Sequence, residues 1–306
     1  MNSFEAVNPH YLKQLQISRN IYSIVLYAMG VVEMIEKVSL VVCDIDGTLV
    51  NANYLMTDKT KEVIEKLHDA GIYFGVASGR SIDQQLYKYA RDKGFDFEFD
   101  VLIGMNGSEL WDGINMQRYD YYKLKKEWIK EIIELLEPFD LNPFMYVDDV
   151  ILCKHDDDPT ARSAIKNSTS LKVANDITDF YKDDNAKIMF RIPLDKMPEV
   201  EEFVSKHPSP HYKAFKTQTT MLEFADRRVA KDVALVNFCK INNIPLNEVM
   251  TFGDLSNDIE MLQCSGWGVC LLNGTDDTKA VADDITEKTN DDDGFAHYIE
   301  KHVLNK

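Results

Sequence analysis

Little in this chain of 306 residues could crosslink it or carry it through a membrane. Cysteine is scarce: five residues, at 43, 153, 239, 264 and 270, form no Cys-x-x-Cys pair and leave one over in any disulfide scheme. That argues against a secreted, crosslinked scaffold and for a reducing, cytoplasmic setting. Cys264 and Cys270 lack the compact Cys/His cluster of a zinc site, so buried thiols are the simpler reading. Glycine, at 14 residues, and proline, at 9, are too few for a collagen-like or low-complexity chain. The apolar run over residues 21–32 is well short of the roughly 20 residues needed to span a bilayer. Lys13 and Arg19 lie upstream of it as in a signal peptide, but Glu33 and Glu36 follow with no small-residue cleavage site. We read residues 1–37 as an extension carrying an appended helix, with a signal anchor as the alternative. Positive charge is also short: 34 Lys plus Arg against 51 Asp plus Glu give a net charge of −17. Such a surface repels phosphodiester backbones and excludes nucleic acid as a natural partner. A small anion is not excluded, because one divalent cation can reverse the potential inside a cleft.

What is present is an ordinary globular composition, 45% hydrophobic, and enough length for two domains at roughly 100 to 200 residues each. Residues 38–43, VSLVVC, read as a fully buried strand. Thr57 opens a helix with Val63, Ile64, Leu67 and Ala70 on one face, closed by Gly71. Residues 72–77 give the next strand, Ser81 can cap a second helix, and residues 101–104 give a third strand. This alternation is that of an open parallel sheet with right-handed crossovers. Near residue 120 the rhythm changes. Leu124, Trp128, Ile132 and Leu135 predict an amphipathic helix stopped by Pro138, followed by apolar stretches at 144–153, 187–192 and 211–224. From Lys231 the α/β rhythm resumes. The expected organisation is therefore a discontinuous α/β core, residues 38–119 and 223–306, interrupted by an α+β module over 120–222. Nothing in the sequence addresses oligomeric state.

Four clusters carry chemistry. In CDIDGTLV, Asp44 and Asp46 follow a buried strand at the end where open α/β sheets bind ligands, and Gly47 permits a sharp turn. One carboxylate can attack phosphorus while the other handles a proton; an Asp-Gly turn is the plainer alternative. In VASGRS, Ser78 precedes a helix start, where a hydroxyl and free N–H groups can bind an anion or simply cap the helix. Lys231, at the start of a helix, opposes the macrodipole and calls for an anionic partner unless it is a solvated surface lysine. Arg227 and Arg228 are rivals for its place. In TFGDLSNDIEML, Asp254, Asn257 and Asp258 cluster hard oxygen donors of the kind that suits Mg²⁺, though Asn257 or Asp258 can equally cap a helix.

Taken in order, DIDGTLV, ASGRS, Lys231 and GDLSNDIEML resemble the four motifs of the haloacid dehalogenase-like hydrolases. Their spacing resembles the Cof-type subclass, in which a type IIB cap is inserted between the second and third motifs. The resemblance runs over residues 38–305, with further matches at IGMNGSELWD (103–112), MLEFAD (221–226) and the tail 275–301. It implies a Rossmann-like core and a Mg²⁺-dependent phosphatase acting on a small phosphorylated metabolite, a sugar phosphate first among them. It also implies that Asp44 is the nucleophile and Asp46 the general acid and base, with Ser78 and Lys231 holding the phosphoryl group. Asp44, the Asp46 backbone carbonyl and Asp254 would bind Mg²⁺, Asn257 and Asp258 would orient that shell, and Gly79, Arg80 and Asn106 would contact substrate. The chain departs from the pattern at FADRRVAKDVAL before and around Lys231, at CLLNG (270–274), and in the extension 1–37. A phosphomutase on a sugar phosphate and a non-catalytic metabolite-binding protein on the same scaffold are the alternatives.

Overall fold

The computed structural model describes residues 35–148, 150–166 and 169–305. The helix expected over residues 21–32 lies outside them. The chain divides into two compact units, one reaching Tyr121 and resuming at Ala230, the other Tyr122–Val229.

The first unit opens with strand β1 (Leu40–Cys43), helix α1 (Asp58–Asp69), strand β2 (Tyr73–Ala77), helix α2 (Tyr89–Asp92) and strands β3 (Val101–Gly104), β4 (Glu109–Asp112) and β5 (Gln117–Asp120). In α1 the Thr57 hydroxyl accepts the Thr60 N–H at 3.1 Å, the expected cap, and Val63, Ile64 and Leu67 are buried. A cap of this kind contributes about 1 kcal/mol, whereas each fully buried Leu or Ile contributes roughly 1.5–3 kcal/mol, so packing decides where the helix sits. Ser81 does not cap its helix. Glu109, on β4, takes that role by accepting the Ile82 N–H at 2.8 Å, and Ile82–Leu86 forms a widened turn before α2.

The second unit holds α3 (Lys126–Leu135), β6 (Asn142–Val147), β7 (Val150–Cys153), α4 (Asp158–Lys166), β8 (Ser170–Val173), β9 (Lys187–Arg191), α5 (Met197–Ser205), β10 (Tyr212–Gln218) and β11 (Met221–Asp226). Its six-stranded sheet runs β10-β11-β9-β6-β7-β8, antiparallel except at β7–β8. Ile129, Ile132, Phe190 and Phe224 are among the residues of its own core. The expected boundary at 222/223 is corrected here. Strand β11 pairs on both sides within this sheet, so residues 223–229 belong to the second unit.

The chain then returns to the first unit with α6 (Lys231–Ile241), β12 (Val249–Gly253), α7 (Ile259–Cys264), β13 (Trp267–Cys270), α8 (Asp276–Lys279), β14 (Asp284–Ile285) and α9 (Gly294–Ile299). The eight-stranded sheet runs β14-β13-β12-β1-β2-β3-β4-β5. All pairs from β14 to β3 are parallel, while β4 and β5 extend the sheet as an antiparallel hairpin. Phe74, Phe99, Phe252 and Phe295 fill the core beneath it, with Phe252 and Phe295 meeting edge to face at 5.0 Å. No helix among the described residues is long and apolar enough to cross a membrane.

Candidate active site

Strand β1 lies between β2 and β12, so the chain leaves β1 toward one side of the sheet and later returns on the other. At such a switch point the loops after neighbouring parallel strands diverge and leave a crevice at their carboxyl ends. Asp44 follows β1, Ser78 follows β2, Asn106 follows β3, and Asp254 follows β12. Lys231, the first residue of α6, completes the group.

The Lys231 ammonium donates to Asp44 Oδ1 at 2.5 Å and to Asp258 Oδ1 at 2.6 Å, and its side chain is 0% exposed. That double pairing answers the electrostatic problem of a lysine at a helix start. Burial would lower its pKa, yet the charges of Asp258 and Asp44 and the hydrogen bonds they accept raise it. Arg228 does not compete, being bonded through Nε and Nη2 to Asp226 at 2.9 and 2.8 Å. Arg227 donates to the Ser209 carbonyl at 2.9 Å.

Asp258 uses its second oxygen to accept the N–H groups of Asp254 and Leu255 at 3.0 and 3.1 Å, which shapes the loop around Asp254. The Thr48 hydroxyl donates to Asp254 Oδ1 at 2.9 Å. Thr48 stood in the DIDGTLV stretch without a role, and its place beside two aspartates was the only signal for it. Burial, followed by the charge of Asp258, pushes the Asp254 carboxyl up to about 7. Burial also raises Asp44 well above the usual carboxylate range, opposed by Lys231 and reinforced by Asp258, Asp254 and Asp46.

Asp44, Asp254 and Asp258 each bring a carboxylate oxygen within 4.8 Å of the others. Three buried carboxylates facing one buried ammonium leave negative charge uncompensated, and hard oxygen donors so arranged fit Mg²⁺. Gly47, at φ +95°, leaves room beside them, since a Cβ there would stand 2.3 Å from Asp254 Oδ2. The same Gly47 turn is tied down by Asn273, in the CLLNG stretch, which donates to the Gly47 carbonyl at 2.8 Å.

The Asp46 carboxylate stands apart from that group. Arg80 donates to it through Nη2 at 2.7 Å and Nε at 3.2 Å. The Arg80 N–H also meets Ser78 Oγ at 3.3 Å, with half-buried Gly79 between them in the chain. Asn106, at φ 56°, donates its backbone N–H to the Ser78 carbonyl at 2.9 Å and accepts from Asn257 Nδ2 at 3.2 Å through its side chain. Asp44, Asp46, Ser78, Gly79, Arg80, Asn106, Lys231, Asp254, Asn257 and Asp258 thus lie on loops and helix starts at this edge of the sheet, whereas Arg227 and Arg228 belong to the second unit. The site forms two connected groups: the carboxylates around Lys231, and Asp46 with Arg80 and Ser78.

A buried acid cluster with one lysine thus stands at the switch point of a doubly wound sheet, in a core interrupted by an α+β unit. The haloacid dehalogenase-like hydrolase family matches residues 41–299, and the chain belongs to that family. It is 28% identical over 269 residues to a 5-amino-6-(5-phospho-D-ribitylamino)uracil phosphatase of Bacillus subtilis, covering 87% of this chain and 96% of that protein. Its fold matches a haloacid dehalogenase-like hydrolase from Bacteroides thetaiotaomicron with TM-score 0.75 and 26% identity, covering 87% and 99% of the two chains. A subclass IIB sugar phosphatase shares the fold at TM-score 0.71 and 20% identity, covering 86% of this chain and 98% of its own. The protein is a phosphatase of this family.

Proposed function

We propose that the protein is a cytoplasmic, Mg²⁺-dependent phosphatase that hydrolyses a small phosphorylated metabolite, with a sugar phosphate as the leading class, through an aspartyl-phosphate. The observation that carries this reading is the Asp44 carboxylate, buried and fixed by Lys231 within a cluster of three acids. An Asp44 oxygen bonds to phosphorus as the bond to the leaving oxygen breaks, and that oxygen takes its electron pair and a proton from Asp46. Water then gives a proton to Asp46 and attacks the same phosphorus, and the bond to Asp44 breaks to release phosphate and restore both aspartates. Ser78 and Lys231 hold the phosphoryl oxygens through both steps. Asp44, the Asp46 carbonyl and Asp254 would hold Mg²⁺, oriented by Asn257 and Asp258, and the ion supplies neutralisation of phosphoryl charge. Gly79 and Asn106, on the loops after β2 and β3, are the proposed substrate contacts. The ribityl phosphate named for the Bacillus subtilis relative supports a polyhydroxylated substrate. Cys43, Cys153, Cys239 and Cys270 are buried thiols, in keeping with a reducing compartment.

The test is hydrolysis of 4-nitrophenyl phosphate and of a panel of phosphorylated metabolites, with and without Mg²⁺. Asp44→Asn is expected to abolish turnover while leaving the fold intact. Unchanged Mg²⁺-dependent hydrolysis in that variant would remove the mechanism.

A further inference from the structure

A basic side chain at the mouth of a phosphate site reads as a substrate contact, and the sequence suggested that role for Arg80. Its guanidinium is instead engaged by the protein, donating to both oxygens of Asp46. The two side chains are 22% and 41% exposed, and an ion pair that open contributes only about 0–1 kcal/mol to stability. Its significance therefore lies in geometry. A planar fork on both carboxylate oxygens fixes the plane and direction of the acid in a way that a point charge cannot.

The fork is itself braced. The guanidinium carbon lies 5.7 Å from the centroid of the buried Tyr89 ring, within cation–π range. The Arg80 carbonyl accepts the Met105 N–H at 2.9 Å, and the Arg80 N–H reaches Ser78 Oγ. Backbone and side chain are thus both held. The Tyr89 hydroxyl has no hydrogen-bond partner among the described residues, so the ring is what this residue contributes. The guanidinium occupies one lone pair on each Asp46 oxygen and leaves the other free, so the fork can aim the carboxylate at a water without blocking it as a proton acceptor.

We propose that Arg80 is a positioning residue for the second half of the reaction, holding Asp46 in the orientation that takes a proton from the water attacking the Asp44 phosphoryl ester. The inference rests on the aspartyl-phosphate mechanism above. In this step the water oxygen bonds to phosphorus, one water proton passes to Asp46, and the phosphorus–oxygen bond to Asp44 breaks with its electron pair returning to Asp44.

The experiment uses 2,4-dinitrophenyl phosphate with Mg²⁺, because that phenolate leaves without needing a proton and the first transfer is insensitive to Asp46 as an acid. For Arg80→Ala, kcat is expected to fall by about 10²-fold, the lower end of what a positioned general base contributes. KM should fall with it, so that kcat/KM changes little. Rapid mixing should show a burst of phenolate matching the enzyme concentration, and acid quenching should trap the phosphoryl group on Asp44. Arg80→Lys, which keeps the charge but not the fork, should recover only part of kcat. A raised KM at unchanged kcat would make Arg80 a substrate contact and overturn the inference. An equal loss of kcat and kcat/KM without a burst would make it merely structural and do the same. Turnover by wild-type protein with no phosphoryl group trapped on Asp44 under any quench would instead remove the mechanism on which the inference rests.

Discussion

Lys231 is the residue on which the acidic cluster depends. Removing one partner of a buried ionic group leaves the others uncompensated, at a cost of about 3–5 kcal/mol. Lys231→Met is therefore expected to lower the unfolding free energy by that amount in metal-free protein near pH 8, read from urea midpoints. The loss should be smaller near pH 5, where the Asp254 carboxyl, pushed up to about 7, holds a proton and needs less compensation. Tyr89 offers the opposite case. Its hydroxyl is buried without a partner, so Tyr89→Phe is expected to raise stability by up to about 1 kcal/mol in the same measurement. At this scale the sequence was informative about position and silent about partners. Asp44 and Asp254 were legible because each ends an apolar strand at the sheet edge. The Arg80–Asp46 fork was not, because the pairing depends on how two adjacent loops turn toward each other after β1 and β2. The Ser81 cap failed for a related reason: Glu109, from another strand, accepts the first N–H of that helix, that of Ile82.

Among the elements, the start of α6 is set by a close approach as much as by its own sequence. Gly107 has φ +104°, and a Cβ there would stand 2.0 Å from the Ala230 carbonyl oxygen, one residue before Lys231. Gly107→Ala is expected to displace that turn, destabilise the protein by more than about 1 kcal/mol, and weaken turnover through Lys231. Thermal unfolding and kcat/KM on an aryl phosphate check the two effects together. IGMNGSELWD stood out as a match to the family pattern, but the hairpin of β4 and β5 that it opens was not foreseen. Residues Gln117–Asp120 are polar and lie at the sheet edge, so they carry no hydrophobic alternation to read. Strand β11 was misassigned because MLEFAD is buried along its length, a pattern that marks an interior strand without saying of which sheet.

For the whole molecule, proton and metal binding are linked through Asp254. Its carboxyl titrates near pH 7 when folded against 3.8 as its ordinary value. Between those two values the folded state holds a proton that the unfolded state has released, so stability falls as pH rises through that window. Metal-free protein is expected to melt at a lower temperature at pH 8 than at pH 5.5. Mg²⁺ binds the ionised carboxylates, so the rise in Tm on adding it should be larger at pH 8, and EDTA should reverse it. Scanning calorimetry at the two pH values checks both signs. The order of elements, the interrupted core and the location of the site could be read along the chain because apolar periodicity and strand-end acids are local signals. The joints between the units could not, because they depend on which strand each segment pairs with.

Those joints bear on how the protein can be recombined. Exchanging the inserted unit for that of a relative requires cuts at 121/122 and 229/230, where both sheets keep all their strands. A graft cut at 222/223 would build β11 from two proteins, so that Glu223–Asp226 of this chain would have to pair with the β10 and β9 of the relative. Chimaeras joined at the first pair of cuts should express as soluble protein, and those joined at the second should unfold at a lower temperature because their central strand was not matched to its neighbours.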